Sequence, residues 1–390
     1  MSLNEVTLNL PNYPMEELAK IRQRLIENKQ KVYDFGTGDP KIPTWEPIRK
    51  MMVDSTTSIS QYPSSSGCPE LIKAIWTYCE RHFKVQPKKG LDVLATNGSK
   101  EAIFHVALNL VGRAGGKKII AYPDPGYPVY RSSTLFAGGI PYPMVLNAAN
   151  KFQTEPWKLP ADIQNQVAAL WINYPHNPTG ALMDEDHLKK IIAWCKEKDV
   201  VLLADDCYID IYSPEWDKTG ERPLTPVMFT SDNVLAFMSL SKRSGMTGYR
   251  SGFIIGDQKL MPAIAKARAN MGVGTPTAIQ KAAAVAWADE DHVAERRKIF
   301  AKRIDLAYPY LHKLGMIDEK PNATFYLWCK VPNGQDDVEF CLRMAELGVI
   351  ASPSQWLSEG IKGFVRFALV PDDTDTIEAM ELIANYLKKA

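Results

Sequence analysis

The segment Ser239–Phe253 reads SLSKRSGMTGYRSGF. It sets one lysine, Lys242, beside the hydroxyls of Ser239 and Ser241, and places Arg250 eight residues further on. A lysine amine that is in part neutral is a nucleophile and forms an imine with an aldehyde. A guanidinium with nearby hydroxyls suits a phosphate, which accepts bidentate, charge-assisted hydrogen bonds. Both features follow the apolar run VLAFMSL (234–240), which reads as a strand that ends at the chemistry.

Other reactive groups stand at the ends of other apolar runs. LDVLAT (91–96) leads into Asn97-Gly98-Ser99-Lys100-Glu101, and KKIIAY (117–122) into PDPGYPVY with Tyr127. VAALWIN (167–173) leads into YPHNPTG with Asn177, and VVLLAD (200–205) ends in Asp205, followed by Asp206-Cys207-Tyr208. Taken singly, each has a plainer reading. Gly98-Ser99 suits a helix N-cap, and Asn177-Pro178-Thr179-Gly180 suits a turn. Tyr127 can be packing, Asp205 a cap, Lys242 a solvated cation and Arg250 the partner of any acid. Those readings leave the set unexplained. A hydroxyl-bearing helix start, an aromatic, an amide, an acid, an amine and a guanidinium fall at successive strand ends, where a parallel sheet gathers its chemistry.

The elements that must position these groups alternate. EAIFHVALNLV (101–111) and DEDHLKKIIAWCKEK (184–198) read as helices between the strands, and GFIIGD (252–257) reads as one more strand. Near-continuous apolar strands separated by helices imply a mostly parallel sheet covered on both faces. The style changes near residue 276. Helical residues 277–315 lead to the strand ATFYLWCKV (323–331), a helix at 336–347, the strand VRFALV (365–370) and a last helix. Residues 14–29 also read as a helix, with Met15, Leu18, Ile21 and Leu25 at helical spacing. At 390 residues two domains are the default. The expected division is a large domain at 46–275, with 1–45 and 276–390 forming a smaller α/β domain.

One cofactor needs the whole set. Pyridoxal 5'-phosphate carries an aldehyde for the lysine and a phosphate for a helix N-terminus, hydroxyls and an arginine. Its flat ring suits an aromatic face, its protonated ring nitrogen a carboxylate, and its phenolic oxygen amide and tyrosine donors. The motifs GTGDP (36–40), GSKEA (98–102), PDPGYPVY, YPHNPTG, DDCY (205–208), SLSK with its arginine, and GFVRFAL (363–369) stand in one order along the chain. In that order the sequence resembles the fold-type I, pyridoxal-phosphate-dependent aminotransferases of the aspartate aminotransferase superfamily, from residue 35 to 371. The resemblance implies a large domain built on a mostly parallel seven-stranded sheet between helices.

It also implies roles. Lys242 would bond the cofactor and carry the proton from the substrate Cα. Asp205 would keep the ring nitrogen protonated. Asn177 and Tyr208 would bind the phenolic oxygen, and Tyr127 would stack on the ring. Gly98, Ser99, Lys100, Ser239 and Arg250 would hold the phosphate, with Ser241 reaching either the phosphate or the backbone. Arg366 would fork the substrate α-carboxylate, with Asn177 close by and Gly38 bringing backbone near. Tyr62 would reach the phosphate of a second subunit, so a homodimer is implied.

Composition excludes other classes. A net charge of +1, from 46 basic and 45 acidic residues, gives no footprint for nucleic acid or an anionic membrane surface. No apolar run approaches the roughly 18–20 residues of a membrane span. The N-terminus carries acids and prolines, unlike a signal peptide. Six scattered cysteines without a CxxC pair suggest reduced thiols and a cytoplasmic protein. The six histidines show no metal spacing, and VGRAGGKK (111–118) lacks the spacing of a P-loop. Arg243 and His176 are expected to serve structure.

Three stretches narrow the resemblance: SKRSGMTGYRSGFIIGD (241–257), AAAVAWADEDHV (282–293) and NATFYLWCKVP (322–332). They are similar to N-succinyl-LL-diaminopimelate aminotransferases, which take the amino group from glutamate for bacterial lysine biosynthesis. DPGYPVY and MTGYR also occur in LL-diaminopimelate, alanine and aspartate aminotransferases. A lyase on the same fold is a further alternative, because the bond that breaks depends on geometry.

Overall fold

The computed structural model describes residues 3–10, 15–112 and 116–388. The side chains of Met15 and Leu18 lie outside the described residues, as do Arg113, Ala114 and Gly115 of VGRAGGKK. Among the described residues there are twelve strands: β1 Tyr33–Asp34, β2 Leu91–Thr96, β3 Ile119–Asp124, β4 Ile140–Val145, β5 Val167–Ile172, β6 Val201–Asp205, β7 Val234–Ser239, β8 Gly252–Asp257, β9 Tyr326–Lys330, β10 Val349–Ile350, β11 Ser352–Pro353 and β12 Phe364–Ala368.

Seven of them form one sheet in the order β2-β8-β7-β6-β5-β3-β4. All neighbours are parallel except β8, which runs antiparallel to both β2 and β7. Strands β3, β5, β6, β7 and β8 are buried at every position, which is why they read as continuous apolar runs. The seventh strand, β4, was not expected from the sequence. Its residues IPYPMV carry two prolines and are half-exposed, as an edge position allows.

Helices cover both faces. Ile75, Tyr78, Phe253 and Trp287 belong to the core on one side, and Ile103, Val106, Tyr130 and Trp171 to the core on the other. Residues 277–315 form two helices. Thr277–Ala288 ends at the extended Asp289, whose carboxylate accepts the N–H of His292 at 3.0 Å and starts Asp291–Lys313. The first of these helices lies beyond the expected boundary at 276, yet it packs its Ala282, Ala283, Ala286 and Trp287 into the large sheet's core.

A second sheet has the antiparallel order β11-β12-β9. Leu327, Cys329, Val365 and Phe367 bury into a separate core with Tyr33 and Phe35 from the N-terminal segment. Phe35 ties that segment in, donating to the Ile350 carbonyl and accepting from the Ala368 N–H. The helix Met15–Glu27 joins here too, with Leu25 against Ile350. Among the described residues no helix is long and apolar enough to cross a membrane, no cluster of metal-ligating groups occurs, and all six cysteines are unpaired.

Candidate active site

The carboxyl ends of β2, β3, β5, β6 and β7 open onto one cavity of about 330 Å³. Lys242, Asp205, Tyr208, Asn177, Tyr127, Ser99, Lys100, Ser239, Ser241, Arg250, Gly38 and Arg366 all line it. Twelve of the fourteen residues expected at the site are thereby brought together. Gly98 stands behind Arg250 rather than in the wall, with positive φ of +74°. A Cβ there would come within 2.6 Å of the Arg250 guanidinium, so both the conformation and the contact require glycine. Tyr62 does not line the cavity of its own chain and is fully exposed.

Each group is held by its neighbourhood. Ser239 ends β7 and caps the short helix Leu240–Arg243, accepting the N–H of Ser241 at 3.2 Å, and its hydroxyl meets that of Ser241 at 3.0 Å. That turn aims Lys242 at the cavity and Arg243 away from it. Arg243 is buried, bonded to Asp210 at 3.0 Å and to Glu290 at 2.7 Å, as a structural residue. Lys242 donates to the Gly38 carbonyl. Loss of water around its amine lowers its pKa to about 8, and the nearby Arg366 and Arg250 cations act in the same direction. Arg250 adopts left-handed backbone (φ +57°) and donates to the carbonyls of Thr247 at 2.9 Å and Asn97 at 3.2 Å.

Asp205 is buried at the end of β6 and accepts the Tyr130 hydroxyl at 2.7 Å. Burial raises its pKa, and among the described residues no basic side chain is paired with it. A cationic ring nitrogen fits that need. Arg366 comes from the other sheet. It is 5% exposed and reaches Asn177 Oδ1 at 3.0 Å, the Gly36 carbonyl at 2.9 Å and the Ser352 hydroxyl at 3.3 Å. Its Nε is buried without a partner among the described residues, a donor left for an anion. The Ser99 hydroxyl lies 2.8 Å from the Cys207 thiol, which burial pushes well up in pKa and keeps unreactive. His176 locks the turn after β5 to Thr179 and the Pro125 carbonyl, and burial lowers its pKa to about 4.

Several residues escaped the sequence reading. Tyr130, inside PDPGYPVY, supports Asp205, and Asn173 donates to the Asp205 carbonyl at 2.6 Å. Asp39 joins the wall beside Gly38. Tyr326, from β9, pairs its hydroxyl with that of Tyr208 at 2.8 Å. Leu357 is brought over the site by Gly126, whose N–H it accepts, and by Asp124, whose carboxylate accepts the N–H groups of Glu359 and Gly360. Proximity in the sequence to a strand-end motif was the only signal for Tyr130, Asn173 and Asp39. Nothing local marked Tyr326 or Leu357.

Comparison with known proteins bears on the same residues. The profile of the family "Aminotransferase class I and II" matches residues 30–383. The chain belongs to that family. It is similar to the LL-diaminopimelate aminotransferase of Aquifex aeolicus (strain VF5), 34% identical over 96% of this chain and 97% of the relative. The crystal structure of an aminotransferase from Neisseria meningitidis Z2491 superposes with a TM-score of 0.89 at 26% identity, covering 98% of this chain and all of the other. A probable N-succinyldiaminopimelate aminotransferase from Thermus thermophilus shares the fold, with a TM-score of 0.87 at 22% identity over 95% of this chain and 99% of that one. The aminotransferase is therefore a pyridoxal-phosphate enzyme of fold type I, and the cavity has the donor set for that cofactor.

Proposed function

We propose that this aminotransferase moves an amino group between LL-diaminopimelate and 2-oxoglutarate, and that the cavity residues act as the family resemblance implies. This replaces the N-succinyl substrate expected from the sequence. The name and coverage of the Aquifex relative support the change. Charge is the observation that carries it. The cavity's cations are Lys100, Lys242, Arg250 and Arg366, and each has a place at the cofactor or the α-carboxylate. The remaining charged side chain in the wall, apart from Asp205, is Asp39. LL-diaminopimelate carries a distal ammonium, which Asp39 attracts, beside a distal carboxylate that the N-succinyl compound shares. The N-succinyl compound replaces that ammonium with a neutral amide and adds a carboxylate, which Asp39 repels. A panel of LL-diaminopimelate, N-succinyl-LL-diaminopimelate, aspartate and alanine against 2-oxoglutarate tests the reading. The first should show the highest kcat/KM, and Asp39→Asn should narrow its lead over the second. Preference for the succinylated substrate would overturn it.

The bound cofactor supplies an aldehyde that takes up the amino group and a ring that withdraws electrons from the substrate Cα. Arg366 holds the substrate's α-carboxylate through its fork and its open Nε. With the cofactor bound, Lys242 would be its point of attachment and, once free, the base that carries the proton from the substrate Cα. Its lowered pKa keeps a usable neutral fraction at physiological pH. Asp205 would face the ring nitrogen and favour its protonated form. Asn177 has its carbonyl oxygen engaged by Arg366, so its amide N–H groups remain to donate to the phenolic oxygen.

The same reading includes a cytoplasmic homodimer, supported by six unpaired cysteines and by the exposed Tyr62. A cleft of about 1330 Å³, lined by Phe104, Phe136 and Trp356, adjoins the site through Lys100, Tyr127 and Arg250 and gives a partner a place to enter. We also place the second domain boundary near 290 rather than 276, because the helix Thr277–Ala288 packs with the large sheet.

A further inference from the structure

We propose that Tyr326 is a positioning residue that couples the two ends of substrate handling: its ring supports the guanidinium of Arg366, and its hydroxyl orients that of Tyr208. Tyr326 begins β9, opposite Ala368 of β12, and only 2% of it is exposed. Its ring lies under Arg366, with the guanidinium carbon 4.6 Å from the ring centroid. Its hydroxyl lies 2.8 Å from that of Tyr208. The backbone is shaped around the same hydroxyl. A Cβ on residue 38 would come within 2.2 Å of Tyr326 Oη, so Gly38 leaves the room that this oxygen occupies. Two residues earlier, the Gly36 carbonyl accepts from Arg366. One side chain thus lies against the proposed carboxylate-binding arginine, the tyrosine proposed at the cofactor and the glycine-bearing segment between them.

The contact itself lets either hydroxyl donate. A tyrosine has one O–H, so if Tyr208 gives its proton to the phenolic oxygen in the cavity it can only accept from its neighbour, and Tyr326 is the donor. The inference rests on the proposed roles of Tyr208 and Arg366.

The test uses the holoenzyme and two readouts: the pH titration of the Lys242-bound cofactor's visible absorbance, and KM against kcat. Tyr326→Phe removes only the hydroxyl and keeps the support under Arg366. Its absorbance should titrate at higher pH, because the donor to the phenolic oxygen is weakened. Its kcat should fall about tenfold, the size of one lost hydrogen bond, with KM for the amino donor within about threefold of wild type. Tyr326→Leu removes the ring as well, and KM should rise about tenfold further. Tyr208→Phe should shift the titration in the same direction, and adding Tyr326→Phe to it should shift it no further. If Tyr208→Phe shifts the titration and Tyr326→Phe does not, or if the two shifts add, the proposal alone is overturned. If Tyr208→Phe itself leaves the titration unmoved, the role of Tyr208 fails and the proposal fails with it.

Discussion

Lys242 shows how much a single environment can change. An ordinary lysine is neutral in roughly one molecule in a few thousand at pH 7, whereas one with a pKa of about 8 is neutral in about a tenth. Burial is the first cause, so the effect belongs to the cavity and not to the residue type. In the proposed attachment the neutral amine is the nucleophile, and its share grows as pH rises through 8. Attachment of pyridoxal phosphate to the apoprotein should therefore quicken about tenfold per pH unit below 8 and level off above it. Stopped-flow absorbance reads this directly. A rate that keeps climbing toward pH 10 would mean that the amine has its ordinary pKa. The residues at strand ends were legible because their types are rare together. Tyr326 was not, because it matters through a partner 118 positions away and carries no local mark.

Elements decide which of those residues meet. Gly98 links β2 to the helix Ser99–Leu110, and its left-handed backbone lets Arg250 lie against it. Gly98→Ala adds a strained conformation and a clash with the guanidinium, each costing on the order of 1–3 kcal/mol where it cannot relax. Cofactor affinity should fall by about tenfold or more, while the thermal unfolding of the apoprotein changes by only a few degrees. Equilibrium titration with the cofactor checks the first, and an unchanged dissociation constant would remove the link between Gly98 and the phosphate. The central strands were legible as continuous apolar runs, because burial on both faces leaves no polar alternation. β4 was missed for the opposite reason: an edge strand with prolines satisfies neither pattern. The helical segments over 277–315 were legible, but the point at which they divide, Asp289, rests on a side-chain cap that composition alone does not reveal.

At the scale of the whole molecule, the site draws on both sheets, and the proposed dimer would add a third contributor. Subunit mixing tests this. Lys242→Ala subunits should be inactive, and Tyr62→Ala subunits weakened in cofactor binding and rate. Refolded together, they form hybrids in which one site carries both defects and the other carries neither. Activity above the sum of the two parents is expected, and simple additivity would show that Tyr62 acts within its own chain or not at all. The reversed strand β8 has a consequence of its own. Because it runs against β2 and β7, it starts where they stop, with Gly252 facing both Thr96 and Ser239. The connection 240–251 therefore carries Lys242 near one end and Arg250 near the other, and its length fixes how far the amine stands from the guanidinium. Other surface loops of this enzyme can lengthen over evolutionary time at small cost. This one works as a ruler: it can change its letters but not its count.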